Sequence, residues 1–505
     1  MTSLKSVTLF NLLTGEENHP AIVAPDKPSL TYRQVRQQII ELAAQLNNFG
    51  IKRGSRIAIA MPNSPEMILT YLAAATCGTA APLNPKYKQE EFAFYYQDTQ
   101  AIALIVLGDG IAAAQAAVTP EMMIIQATPK SDGTLSLHKI QGKAYPPRTI
   151  EQTESEDVAM ILHTSGTTSR PKRVPIKHRN LAASAHNIIS TYNLSASDRA
   201  LCIMPLFHVH GIVASMLSTL ASGGTVICPT GFNAMEFWRI LSEFQPTWYS
   251  AVPTMHQLIL ARAERNQEAI AASRLRFIRS SSSSLPPVVL ERLEATFNAP
   301  VLEAYSMTET SHQMTSNPLP PSTRKPGSVG YGFGVEVGIM DKDGNLLSSG
   351  QLGEIVVQGA NVFDGYENNP EANAKAFTHG WFRTGDQGVI DAEGYLALTG
   401  RIKELINRGG EKISPVEVDN VLLRHNAVAE ALSFAVPHKT LGEDIHAAVV
   451  LKDNTVSEQE LRQHCSELLA EFKVPHQLHI LEELPRGATG KLQRLNMAKL
   501  LKLED

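Results

Sequence analysis

Hydroxyl residues crowd around a glycine in His163-Thr164-Ser165-Gly166-Thr167-Thr168-Ser169-Arg170-Pro171-Lys172, directly after the apolar run Val158 to Leu162. A small, hydroxyl-rich loop leaving a strand lets backbone N–H groups and Oγ atoms converge on phosphate oxygens, and a lysine adds positive charge. These residue types describe a phosphate cradle, with Thr164, Ser165, Gly166, Thr167, Thr168 and Lys172 as its candidates. The order of glycine, lysine and hydroxyl residue differs from that of a Walker A loop. Taken alone, the segment reads equally well as a polar turn.

The elements that must hold such a loop are those of an α/β protein. Short apolar runs such as Arg56 to Met61 and Ala101 to Leu107 alternate with Ala- and Leu-rich helical stretches, separated by turns rich in Gly, Pro and Asn. From about Ser328 to Val357 the texture becomes that of short strands with turn signals at Asp343-Gly344 and Ser349-Gly350, a β-rich subdomain closing the large body. A hairpin-like Asp391-Ala392-Glu393-Gly394-Tyr395 precedes a candidate boundary at Thr399 to Lys403. The chain therefore divides into a large body, residues 1–400, and a small α+β domain, residues 401–505. In the latter, helices are expected over Pro415 to Leu423 and Ser457 to Leu469, and a strand around Val449. Its tail loop, Pro485-Arg486-Gly487-Ala488-Thr489-Gly490-Lys491, is too glycine-rich to be rigid alone, so this domain carries a mobile lysine.

Further motifs accompany the loop in order: Glu303-Ala304-Tyr305-Ser306-Met307-Thr308-Glu309-Thr310, then Trp381-Phe382-Arg383-Thr384-Gly385-Asp386, Tyr395 to Arg401, and Gly487 to Lys491. With these the whole chain resembles the adenylate-forming superfamily of acyl-CoA synthetases, peptide-synthetase adenylation domains and firefly luciferase. The resemblance implies an AMP-binding body with a mobile C-terminal domain, ATP and CoA as co-substrates, Mg²⁺ as cofactor, and a carboxylic acid activated first as its adenylate. A carboxylate attacking a phosphate is a meeting of two anions, so positive charge and fixed geometry are needed. By resemblance, Lys491 bridges carboxylate and α-phosphate, Thr308 hydrogen-bonds that phosphate, and Glu309 holds the Mg²⁺. Glu303, Ala304 and Tyr305 line the adenine, together with Ser283 and Ser284. Asp386, an acceptor-only carboxylate, suits the ribose hydroxyls, with Arg401 assisting. Lys403 is the implied hinge about which the small domain turns for thioester formation, and Arg408-Gly409-Gly410 the implied CoA face. A simple hairpin turn is the alternative for that glycine pair.

Family acyl pockets are lined by segments that here read Phe207-His208-Val209-His210-Gly211, Arg279 to Leu285, and Thr310 to Met314. Unpaired hydroxyls and imidazoles would disfavour an aliphatic tail, so the pocket reads as small and polar. Together with LHTSGTTSRPK and VLEAYSMTE, this most resembles the oxalate-CoA ligases of plants and fungi, with Ser282, His312 and nearby His208 holding the distal carboxylate. The alternatives are another small, aryl or medium-chain acid, a luciferase-type oxygenase, or a non-catalytic adenylate-binding homologue. One departure stands out: Arg173 follows Pro171-Lys172 where the family usually has glycine. It implies strain if φ there is positive, or an added charge for the triphosphate.

Composition narrows the partners. A net charge of −5 over 505 residues gives no basic excess for nucleic acid. Cys77, Cys202, Cys228 and Cys465 lack metal-ligand spacing and fit a reducing compartment. Met1 to Glu17 lacks the apolar core of a secretory signal, Gly211 to Cys228 is broken by serines and glycines as a buried helix and strand would be, and the C-terminal residues are not a peroxisomal Ser-Lys-Leu. The expectation is a cytoplasmic monomer or homodimer that begins near Met1, spans no membrane and, with no carrier domain after Asp505, uses free CoA.

Overall fold

The computed structural model describes residues 7–143, 145–147, 151, 153–164, 171–452, 456–486 and 492–503. The chain packs as two compact units, Met1–Val337 with Val357–Phe382, and Gly338–Val356 with Arg383–Asp505. Among the described residues no helix is long and apolar enough to cross a membrane.

The first unit holds a seven-stranded and a nine-stranded sheet among its described residues. In the former, Arg56–Ala60 and Ala103–Leu107 are parallel neighbours, both buried, as their continuous apolar character requires. At one edge Val158–Thr164 pairs antiparallel with Lys172–Lys177, so the two ends of the hydroxyl-rich loop are fixed in register as Thr164↔Lys172.

In the nine-stranded sheet Arg199–Leu201, Trp248–Ala251, Phe277–Ser281 and Val301–Met307 run parallel, and His312–Ser316 returns antiparallel. Side chains alternate across such a sheet. Leu201, Tyr249, Ala251, Ile278 and Val301 enter one apolar core with Phe237, Leu241 and Leu293. The opposite face carries Trp248, Ser250, Phe277 and Arg279, placed side by side by the register Trp248↔Phe277 and Ser250↔Arg279. Trp248 and Tyr192 both stack on Phe277, at centroid distances of 5.3 and 4.9 Å. The stretch Gly211 to Cys228 is a buried helix and strand, as expected, but its first part, His210–Leu217, is wound as a π-helix. Such wide turns recur at functional sites.

The strand Trp381–Ile390, in the second unit from Arg383 on, and Leu396–Arg401 form the expected hairpin around Asp391-Gly394, in register Asp386↔Arg401. A separate sheet of Ile406–Arg408, Glu411–Ile413, Val428–His438, Gly442–Leu451 and Gln477–Ile480 buries Ile406, Val418, Ile445, Leu461 and Leu478 under helices Pro415–Leu422 and Glu458–Leu468. Ser414 and Ser457 cap these helices, each oxygen accepting an N–H three residues on. This is the α+β domain expected from the sequence.

Candidate active site

Thr164 and Lys172 flank a segment, Ser165 to Arg170, that lies outside the described residues, as do Gly487 to Lys491. Lys172 directs its Nζ over the Tyr366 ring, 4.4 Å from the centroid. The Tyr366 hydroxyl donates to Glu309 Oε1 at 2.8 Å, and the Glu309 carbonyl accepts the Phe363 N–H, also at 2.8 Å. Glu309 is buried, and among the described residues its Oε2 has no hydrogen-bond partner. One pre-oriented carboxylate oxygen is what a Mg²⁺ shared with a triphosphate asks of a protein, since Mg²⁺ keeps waters and phosphate oxygens as its other ligands. No cluster of His, Cys, Asp or Glu able to hold a metal by itself occurs among the described residues. Tyr366 carries this constellation and was missed in the sequence, because it stands 57 residues from Glu309 with no motif around it.

Thr308 is half-buried at the end of the strand bearing Glu303, Ala304 and Tyr305, all three buried. Burial pushes the Glu303 carboxyl up to about 7, against the lowering effect of the Gly327 N–H it accepts at 3.1 Å. The folded protein thus keeps a proton that the unfolded chain releases near pH 4.5. The contribution to stability is full below that pH and is lost as pH rises through 7, about 3 kcal/mol in all. Glu303→Gln, which keeps an acceptor for Gly327, is expected to raise the melting temperature relative to wild type more at pH 8 than at pH 5. A pH-independent difference in thermal melts would contradict this origin.

Arg173 is settled by its strand. It lies within Lys172–Lys177 and outside the positive-φ residues, so no backbone strain follows from the missing glycine. Its guanidinium is turned away from solvent, 3.4 Å from Asp98 and 3.3 Å from Glu367, in ion-pair range but without hydrogen-bond alignment. Asp98 also accepts from His163 at 2.9 Å, and Glu367 also pairs with Arg56. The added charge is therefore engaged by two carboxylates of the body.

Ser282 and His312 converge as members of a buried polar cluster. Ser282 follows its strand at φ 73°, with Ser283 and Ser284 exposed beyond it. Ser282 Oγ lies 3.0 Å from His210 Nδ1, His210 Nε2 lies 2.6 Å from Ser250 Oγ, and the His210 and His312 rings are 5.1 Å apart. His208 is half-buried nearby, close enough for its charge to bear on both other imidazoles. Burial first, then the Arg279 cation, hold the His210 and His312 pKa values well below the usual range, so both rings are neutral near pH 7.

His312 has no solvent exposure and, among the described residues, no hydrogen-bond partner on either ring nitrogen. Its φ of 108°, following Ser311 at 52°, is costly for non-glycine residues. The strain is over-determined: Ser311 Oγ donates to the Asn361 carbonyl, Asn361 Nδ2 to the carbonyls of Thr310 and Gln313, and Thr310 Oγ1 to the His312 carbonyl. The fold thus spends backbone strain to aim an unsatisfied imidazole into a polar cluster. His210, Ser250 and Arg279 were not assigned roles in the sequence. A lone arginine in the apolar run Phe277-Ile278-Arg279 was the available signal.

In the second unit, Asp386 is buried and pairs with the partly exposed Arg401 at 3.0 Å. Its backbone is set by Thr384 Oγ1, which accepts the Asp386 N–H, and by Glu354, which gathers Arg383 and the Gly385 N–H. Lys403 is exposed in the turn Ile402–Glu404. Gly409 and Gly410, both at positive φ, make the tight turn between Ile406–Arg408 and Glu411–Ile413, while Arg408 pairs with buried Asp444 at 2.7 Å and donates to the Phe472 carbonyl. The turn geometry alone accounts for the glycines.

A buried carboxylate just past a strand end, a strand pair flanking the hydroxyl-rich segment, and a buried polar cluster are features an adenylating enzyme would need. Residues 12–367 match the AMP-binding enzyme family and residues 417–491 its C-terminal domain. The chain belongs to the AMP-binding enzyme family and is an AMP-forming acid-thiol ligase that makes an acyl-CoA. It is 46% identical to a probable CoA ligase of Humulus lupulus (98% of this chain, 96% of that one) and 45% identical to the oxalate-CoA ligase of Arabidopsis thaliana (97% of each). Against the oxalate-CoA ligase of Saccharomyces cerevisiae it is 41% identical (99% and 98%). Among solved structures, ATP-bound MatB from Rhodopseudomonas palustris superposes with a TM-score of 0.86 at 29% identity, covering 98% of this chain and 99% of that one.

Proposed function

We propose that the chain converts oxalate, ATP and CoA to oxalyl-CoA, AMP and diphosphate in the cytoplasm, where its four buried thiols would stay reduced. The observation that carries the choice of acid is His312, a fully buried, neutral imidazole without a partner, beside His210, His208 and Ser282. The one N–H of neutral His312 has no acceptor among the described residues, and a ligand that brings oxygens, as a second carboxylate does, would supply one. An alkyl tail would leave that donor unsatisfied. The identity to oxalate-CoA ligases supports the same reading.

In this reaction Mg²⁺, held by Glu309, would neutralise the triphosphate. Thr164 to Thr168 and Lys172 hold the phosphates, and Thr308 bonds the α-phosphate under attack. Glu303, Ala304, Tyr305, Ser283 and Ser284 flank the adenine, Asp386 with Arg401 takes the ribose hydroxyls, and Lys491 joins acid to α-phosphate. Residues 401–505 then turn about Lys403 and present Arg408, Gly409 and Gly410 to CoA. Carboxylate-dependent diphosphate release with ATP, Mg²⁺ and CoA, across oxalate, glycolate, malonate, acetate, octanoate and coumarate, tests the assignment. Oxalate is expected to give the highest kcat/KM, with oxalyl-CoA identified by mass. Turnover of apolar acids alone would overturn the pocket reading.

A further inference from the structure

Arg279 is fully buried, yet its hydrogen bonds go only to neutral acceptors: Nε to Tyr192 Oη at 2.8 Å, Nη1 to Ser250 Oγ at 3.0 Å, and Nη2 to Gln313 Oε1 at 3.2 Å. Among the described residues no carboxylate lies within ion-pair range of it. A guanidinium remains charged in any protein environment and only donates hydrogen bonds. A buried charge without a counter-charge is costly, which is why such groups are nearly always paired. Elsewhere in this chain even half-buried arginines meet carboxylates: Arg494 pairs with Asp419 and Glu404, and Arg408 with Asp444.

One arrangement carries the bonds in a single direction. Ser250 Oγ accepts from Arg279 and directs its own O–H to His210 Nε2, 2.6 Å away. The neutral His210 then carries its proton on Nδ1 and donates it to Ser282 Oγ. Ser282 accepts at that contact, which leaves its hydroxyl proton to a ligand oxygen. Ser250 and His210 each accept one hydrogen bond and donate one in this arrangement, and Ser282 accepts one.

We propose that Arg279 is the specificity-determining residue of the acid pocket, its unmatched charge being answered by the second carboxylate of a dianionic substrate and its bond to Ser250 setting the donor direction of His210 and Ser282. The inference rests on the reading that this pocket takes a distal carboxylate. Arg279 acts through the intervening side chains, so it is a positioning residue. It also explains how neutral imidazoles can serve an anion site: the permanent charge behind them supplies the attraction that imidazolium would otherwise have to supply.

The test compares kcat/KM for oxalate and for glycolate, which replaces the second carboxylate with a hydroxyl, in wild type, R279M, R279K and S250A. The oxalate-to-glycolate ratio is expected to fall about a hundredfold in R279M, carried by the oxalate KM. It is expected to fall about tenfold in S250A, and R279K should recover part of the R279M loss by restoring charge without the fork. A wild type that does not prefer oxalate would overturn the reading of the pocket. A wild type that does, with the ratio unchanged in R279M, would overturn the role of Arg279 and leave it a packing residue. Should R279M give no folded protein, an unchanged ratio in S250A has the same meaning.

Discussion

Lys491→Ala is expected to lower carboxylate-dependent diphosphate release by about a thousandfold, the scale of losing one charged group aimed at the developing transition state. Thioester formation from supplied acyl-adenylate and CoA should stay within about threefold of wild type, because no charge then has to be placed between carboxylate and phosphate. The asymmetry is the informative part. A lysine that merely held the small domain together would lower both half-reactions alike, and an equal loss would refute the assignment. The chain on either side of Gly487 to Lys491 is anchored. Arg486 and Leu492 bridge as an antiparallel pair on either side of Gly487 to Lys491, and Arg486 pairs with Glu430 at 2.8 Å. Beyond it, half-buried Arg494 pairs with Glu404 and Asp419. Both ends of the lysine segment are thus anchored in the same unit that contains Lys403.

The second large effect is expected at Glu309. Glu309→Gln keeps an acceptor for the Tyr366 hydroxyl and nearly the same volume, so melting temperature should move little. It removes the negative charge that would hold Mg²⁺. Adenylation is expected to fall by about two orders of magnitude at saturating ATP, with the Mg²⁺ concentration for half-maximal rate shifted upward. A Mg²⁺ titration of diphosphate release reads both. Tyr366→Phe should give a weaker version of the same shift, since it frees the carboxylate from its bond without removing its charge. A Glu309→Gln enzyme with unchanged Mg²⁺ dependence would show that the carboxylate has a structural task only.

The motifs around Ser165 to Arg170, Glu309, Asp386 and Lys491 are each contiguous, so the roles proposed for them could be read from a few neighbouring residues. The α/β class was legible for a similar reason, since apolar runs such as Arg56 to Met61 are buried wherever they pack. The two helices of the small domain could be placed to within a residue because Ser414 and Ser457 mark their starts. Arg173 illustrates the limit. Next to a glycine-rich loop it suggested strain, but its φ is set by pairing with His163 across the strand edge. That partner is chosen by sheet register, which local sequence does not encode.

By itself, the sequence determined the reaction class and the order of its parts, because adenylate chemistry needs particular residue types at short, fixed spacings. The tertiary structure decided the buried polar cluster proposed to take the acid. Tyr192, His210, Ser250, Arg279 and His312 come from separate elements, and only the register Ser250↔Arg279, the π-helical start at His210 and the strained turn at His312 bring them together. The physical reason is the pleat. A one-residue slip of Phe277–Ser281 would turn Arg279 into the apolar core and Ile278 toward the histidines, leaving the composition unchanged and the site without its charge.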